Sequence, residues 1–126
     1  MTRINLILAT VLSLAFTPLA AQDFQKGLAA YQAGDYAAAL QEWTPLAEAG
    51  RGVIQYNLGV MYENGLGVLQ DNVMAHMWYN IASANGVEKA GEWRDKRAGL
   101  MTSADISKAQ AMARECMNSG YKKCGY

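Results

Sequence analysis

Between residues 51 and 86 the apolar positions follow a helical period that is broken once and then resumes. Ile54, Leu58 and Tyr62 recur every four residues, the spacing that lines one face of an α-helix. Gly59 lies beside them and offers a flat seat for a neighbouring helix. Gly65, Gly67 and Val68 interrupt the stripe, and Asp71 is placed to cap a new helix by accepting hydrogen bonds from its first free amides. A second stripe of Ala75, Trp78, Tyr79 and Ala82 then stops at Gly86. The pattern predicts a helical hairpin in which small residues face large ones.

The same plan stands earlier in the chain. Phe24, Leu28 and Tyr31 form a first stripe, Asp35 a cap, and Ala39, Leu40, Trp43, Leu46 and Ala47 a second stripe that ends at Gly50. Tyr31-Gln32-Ala33-Gly34 corresponds to Tyr62-Glu63-Asn64-Gly65, Asp35 to Asp71, Ala39 to Ala75, Trp43 to Tyr79 and Gly50 to Gly86. From Asp35 onward the offset is 36 residues, whereas before it the offset is 31. About five residues, Leu66 to Gln70, have therefore been added to the turn of the second unit, a place where a repeat protein tolerates them. A third, divergent unit follows. Val87 to roughly Leu100 reads as one helix; Thr102-Ser103-Ala104-Asp105 resembles a capping box with Asp in place of Glu; Ile106, Ala109, Met112, Ala113 and Cys116 continue the stripe. Glu88, Lys89, Glu92, Arg94, Asp95, Lys96 and Arg97 crowd the first of these helices, as expected where the array meets water. The last helix is expected from about Ser103 to Met117, with Gly120 beyond it in a left-handed turn.

The first residues read differently. Met1-Thr2-Arg3 is a short positive start, Ile4 to Phe16 is mostly apolar, and Leu19-Ala20-Ala21 places small residues where signal peptidase cuts. Residues 1–21 are expected to be a signal peptide cleaved after Ala21, an uncleaved membrane anchor being the alternative. The apolar run is shorter than the roughly 20 residues that a spanning helix needs, so no stable anchor is expected after cleavage. The mature chain, 22–126, divides into units at about 22–50, 51–86 and 87–126, outside the cytoplasm in the periplasm or secreted.

Eleven basic and eleven acidic residues in 126 give no net charge, and no basic stretch tracks a phosphate backbone, which sets nucleic acid aside. The two cysteines, Cys116 and Cys124, suit an oxidising compartment as a disulfide. Its short loop limits the gain to about 2 to 3 kcal/mol. A metal pair or a redox pair is the alternative, although zinc wants four ligands and the single His76 is remote in sequence.

The run Gln55-Tyr56-Asn57-Leu58-Gly59-Val60-Met61-Tyr62-Glu63-Asn64-Gly65-Leu66-Gly67-Val68-Leu69-Gln70-Asp71, with Ala75, Trp78-Tyr79, Ala82 and Gly86 after it, resembles the Sel-one-like repeat, a branch of the tetratricopeptide superfamily. The resemblance covers one full motif; the first unit is closer to a plain tetratricopeptide hairpin and the third matches only as a cap. Ile54 and Ser83 depart from the family's small residues. The resemblance implies an all-α fold, a short α/α superhelical solenoid of two helical-hairpin repeats plus a divergent C-terminal capping hairpin. It also implies an adaptor or scaffold that binds a protein or peptide partner without a cofactor. By analogy with the tetratricopeptide groove, Val53, Tyr56, Asn57, Val60 and Glu63 would face that partner, half-buried packing being the competing reading.

No catalytic signature accompanies these features. His76 is the lone candidate base; by period it faces sideways or outward, and no G-x-S-x-G, S-x-x-K or H-E-x-x-H motif is present. Some cysteine-rich secreted members of the family are reputed to bind penicillin or to hydrolyse β-lactams weakly, which leaves a cell-wall protein of that class as the alternative function. A short solenoid also leaves end surfaces on which a second copy could stack.

Overall fold

The computed structural model describes residues 19–125, with backbone only for 19–22. The expected signal peptide, residues 1–21, lies outside the described residues except for the backbone of 19–21. Among the described residues the fold is all-helical, a short α/α solenoid of six helices: α1 (Leu19–Gln32), α2 (Tyr36–Glu48), α3 (Gly52–Asn64), α4 (Asn72–Ala84), α5 (Glu88–Ala98) and α6 (Ser103–Asn118). None of these helices is long and apolar enough to cross a membrane.

The helix starts follow local chemistry. Asp35 accepts from the Ala38 amide at 3.2 Å, and Asp71 accepts from the Val73 and Met74 amides at 2.9 and 3.1 Å. Thr102 accepts from the Asp105 amide at 3.1 Å. Each bond satisfies a first-turn donor that has no partner inside its own helix. The extra turn in the second unit bends back toward the first. Gly67 has φ +71°, and a Cβ there would lie 2.9 Å from the Tyr36 main chain, so the close approach and the backbone angle both require glycine.

In each of the first two hairpins an aromatic ring of the second helix lies on a glycine of the first. Trp43 covers Gly27 and Tyr79 covers Gly59, which lets large rings fill the interior while the backbones stay close. Trp43, Trp78 and Tyr79 are buried together with Leu58, Met61, Met77 and Ile81.

α4 is the centre of the molecule, packed by α3, α5 and α6. Met74 to Tyr79 are consecutively buried, because a helix covered on several sides has no solvent face left. This corrects the expectation for His76, which is 2% exposed rather than turned outward. The capping pair is also more open than a simple hairpin: α5 and α6 both rest chiefly on α4.

Cys116 and Cys124 are joined, with α-carbons 4.4 Å apart, and both are fully buried. The turn between them is held by Ser119, whose hydroxyl accepts from the Lys122 and Lys123 amides at 3.2 and 3.0 Å. Gly120 and Tyr121 both adopt left-handed backbone angles, φ +65° and +64°. Gly125 approaches Met112 and Met74, while the Tyr121 ring reaches Gly50 and its hydroxyl accepts from Asn85 at 3.0 Å.

Candidate binding site

The expected partner-facing strip separates into three environments. Asn57 and Val60 line a hollow of about 150 Å³ with Leu28, Tyr31 and Trp43. The floor is aromatic, with Tyr31 and Trp43 stacked at 5.5 Å between ring centroids. The Trp43 indole is fixed from behind, because its Nε1 donates to the Phe24 carbonyl at 3.3 Å. Val53 belongs to a different place. It is 61% exposed and borders a second apolar hollow with Phe24, Arg51, Gly52 and Ile54.

Tyr56 and Glu63 are occupied within the fold. Tyr56 is half-buried against the Tyr79 ring, 5.6 Å between centroids, and burial together with the nearby Glu63 charge pushes its hydroxyl pKa up. Glu63 accepts a short hydrogen bond from the Tyr79 hydroxyl and pairs with Arg97 at 2.9 Å. The side chains of Glu63 and Arg97 are only 11% and 18% exposed. Burial, then the hydrogen bond to Glu63, holds the Tyr79 phenol far above its ordinary pKa, so Tyr79 remains the donor. Arg97, expected on a solvated helix surface, instead ties α5 to α3 through its pair with Glu63, both helices being packed on α4.

Three residues of the first unit, Leu28, Tyr31 and Trp43, complete the hollow, whereas the sequence pattern had assigned them only to its buried stripes. Leu28 and Tyr31 are half-exposed and Trp43 is buried beneath them, at a place where two units meet and which the period of a single helix does not report. Asn57 is a polar group in this lining whose side chain makes no hydrogen bond among the described residues, which leaves its carboxamide able to donate and accept.

His76 lies apart from the hollow. Burial, and then the Arg94 charge, lowers its pKa, and its Nδ1 makes no hydrogen bond. Another polar residue missed by periodicity is Gln55, fully buried. Its Nε2 donates to the Ala47 carbonyl at 3.0 Å, and its Oε1 accepts from Asn85 at 2.8 Å.

The family model of the Sel1 repeat matches residues 55–87, a span that begins in α3 and takes in the extended turn and all of α4. Comparison with curated proteins and with solved structures gives no match.

Proposed function

Because the chain is a Sel1-like repeat protein, and such repeats generally mediate protein–protein interaction, we propose that it is an exported, non-catalytic binding module. In this reading residues 1–21 direct export and are removed, and 22–126 is the repeat domain, with units at 22–50, 51–86 and 87–126. The positive start, the apolar run and the small residues before Gln22 support export, and the Cys116–Cys124 pair suits an oxidising compartment.

The observation that carries the binding role is the hollow between the two units, where apolar walls surround the free carboxamide of Asn57. A rigid aromatic floor takes an apolar side chain at low entropic cost, and a carboxamide can pair with both groups of a peptide unit. The partner is an extended segment of another protein that inserts one apolar side chain there. The site therefore centres on Asn57 and Val60 with Leu28 and Tyr31, rather than on the whole strip from Val53 to Glu63.

A pull-down from periplasmic extract with the mature chain tests this, with Val60→Glu and Asn57→Ala run beside the unaltered protein. The expected result is a protein retained by the unaltered chain and lost by Val60→Glu, whose carboxylate would be stranded among apolar walls. Identical retention by all three proteins would remove the hollow from the function.

A further inference from the structure

The C-terminal tail does more than cover the end of the solenoid. Tyr121 lies inside the loop closed by Cys116 and Cys124, and its backbone N–H donates to the Cys116 carbonyl at 2.8 Å. Its ring stands over the turn that joins the first unit to the second, where a Cβ on Gly50 would lie 3.5 Å from it. Its hydroxyl accepts from Asn85 at the end of α4, Asn85 donates also to Gln55 on α3, and Gln55 donates to the Ala47 carbonyl at the end of α2. One polar chain thus runs from the disulfide loop to the place where the two repeats join.

We propose that the disulfide-closed tail is a redox-sensitive clamp on the junction between the first two repeats, acting through Tyr121, Asn85 and Gln55. Gln55 is fully buried with Asn85 in place, and Asn85 is the donor that its carbonyl accepts from, so withdrawal of Asn85 removes that partner. A buried acceptor left without a partner is costly, and this couples the position of Asn85 to the packing of α2 on α3. That junction also sets Asn57 and Val60 of α3 against Leu28 and Tyr31 of the first hairpin. The consequence for partner binding rests on the function proposed above; the clamp itself does not.

The chemistry that opens the clamp is thiol–disulfide exchange with a dithiol. One thiolate of the reductant attacks a cystine sulfur and the Cys116–Cys124 bond breaks. Its second thiol then displaces the protein from the mixed disulfide. Two electrons and two protons end on the protein as two thiols, and the reductant becomes a cyclic disulfide. Because both cysteines are fully buried, attack requires the tail to lift first, so the reduction rate reports tail opening.

Hydrogen exchange on the full mature chain, oxidised and after reduction with dithiothreitol and alkylation, tests the clamp. Reduction is expected to raise exchange about five- to tenfold in the junction segment 49–56 as well as in 117–125, with α4 staying protected. Oxidised Asn85→Ala is expected to raise exchange at 49–56 by a similar factor with the disulfide intact. Reduction of that variant should add little more there. If the reduced protein loses protection throughout, the oxidised variant decides. Unchanged exchange at 49–56 in oxidised Asn85→Ala, or a response to reduction confined to 117–125, would overturn the clamp. No partner enters the measurement, so this failure is distinct from a failure of the binding role.

Discussion

Replacing Gly59 with alanine tests the contact on which the second repeat is built, because two opposing effects give opposite signs. On an exposed helix the change stabilises by about 1 kcal/mol, since alanine loses less backbone freedom than glycine. Here a Cβ at residue 59 would stand 2.5 Å from Cδ1 and Cε1 of Tyr79, well inside van der Waals contact. The ring has no space into which to turn: Tyr79 is fully buried, its hydroxyl is donated to Glu63, and Arg97 holds Glu63 from α5. Relief must come from sliding α4 off α3 or from loosening the Tyr79–Glu63 bond. Overpacking costs about 1 to 3 kcal/mol, and weakening a bond to a charged acceptor adds up to about 1.5 to 3 kcal/mol. After the helix-propensity gain, a net loss of up to about 5 kcal/mol remains. Urea unfolding of the mature protein, followed by far-ultraviolet circular dichroism, measures it as a lower midpoint. A Gly59→Ala protein that is more stable than its parent would refute the close approach of Tyr79 and with it the argument for why glycine stands there.

Leu58→Ala and Trp78→Ala are each expected to cost about 2 to 5 kcal/mol in the same unfolding assay, because both side chains are enclosed. Unreduced mature protein should weigh two hydrogens less than the dithiol and resist alkylation, whereas free alkylation of Cys116 and Cys124 without reduction would contradict the bond. His76 is kept neutral by burial, with a folded pKa below its ordinary value of 6.5, so the unfolded chain binds the proton more readily. Stability is therefore expected to be intact above about pH 6.5 and to fall as pH drops from there toward the lowered folded value; His76→Gln should flatten that slope, and an unchanged slope would assign it to other groups. N-terminal sequencing of exported protein should begin near Gln22, and a start at Met1 would end the export reading.

The hairpins were legible because each is a local device. Ile54, Leu58 and Ala75 mark buried faces by period, and Asp35, Asp71 and Thr102 cap the helices that follow them. A single-helix period describes one buried face, however, and the residues that proved most informative belong to faces covered by a different unit. α3 is packed by α2 as well as by α4, so Gln55 next to the stripe is as buried as the stripe itself. Its burial is tolerated because its partners, Ala47 and Asn85, come from both neighbouring helices. Arg97 and Glu63 likewise read as surface charges until α3 and α5 are both packed on α4, where their pairing at 2.9 Å compensates burial that neither could bear alone. His76 follows the same logic without compensation at Nδ1, which is why it resembled a surface residue in the sequence and lies in the interior of the structure. The hollow at Asn57 is the complementary case: Leu28, Tyr31 and Val60 each have an apolar reason to be buried within their own hairpin, yet together they line an open hollow where the two units meet. The fold of this chain is therefore legible within its units, whereas their junction depends on Gln55 and Asn85, whose partners lie on α2, α3 and the tail.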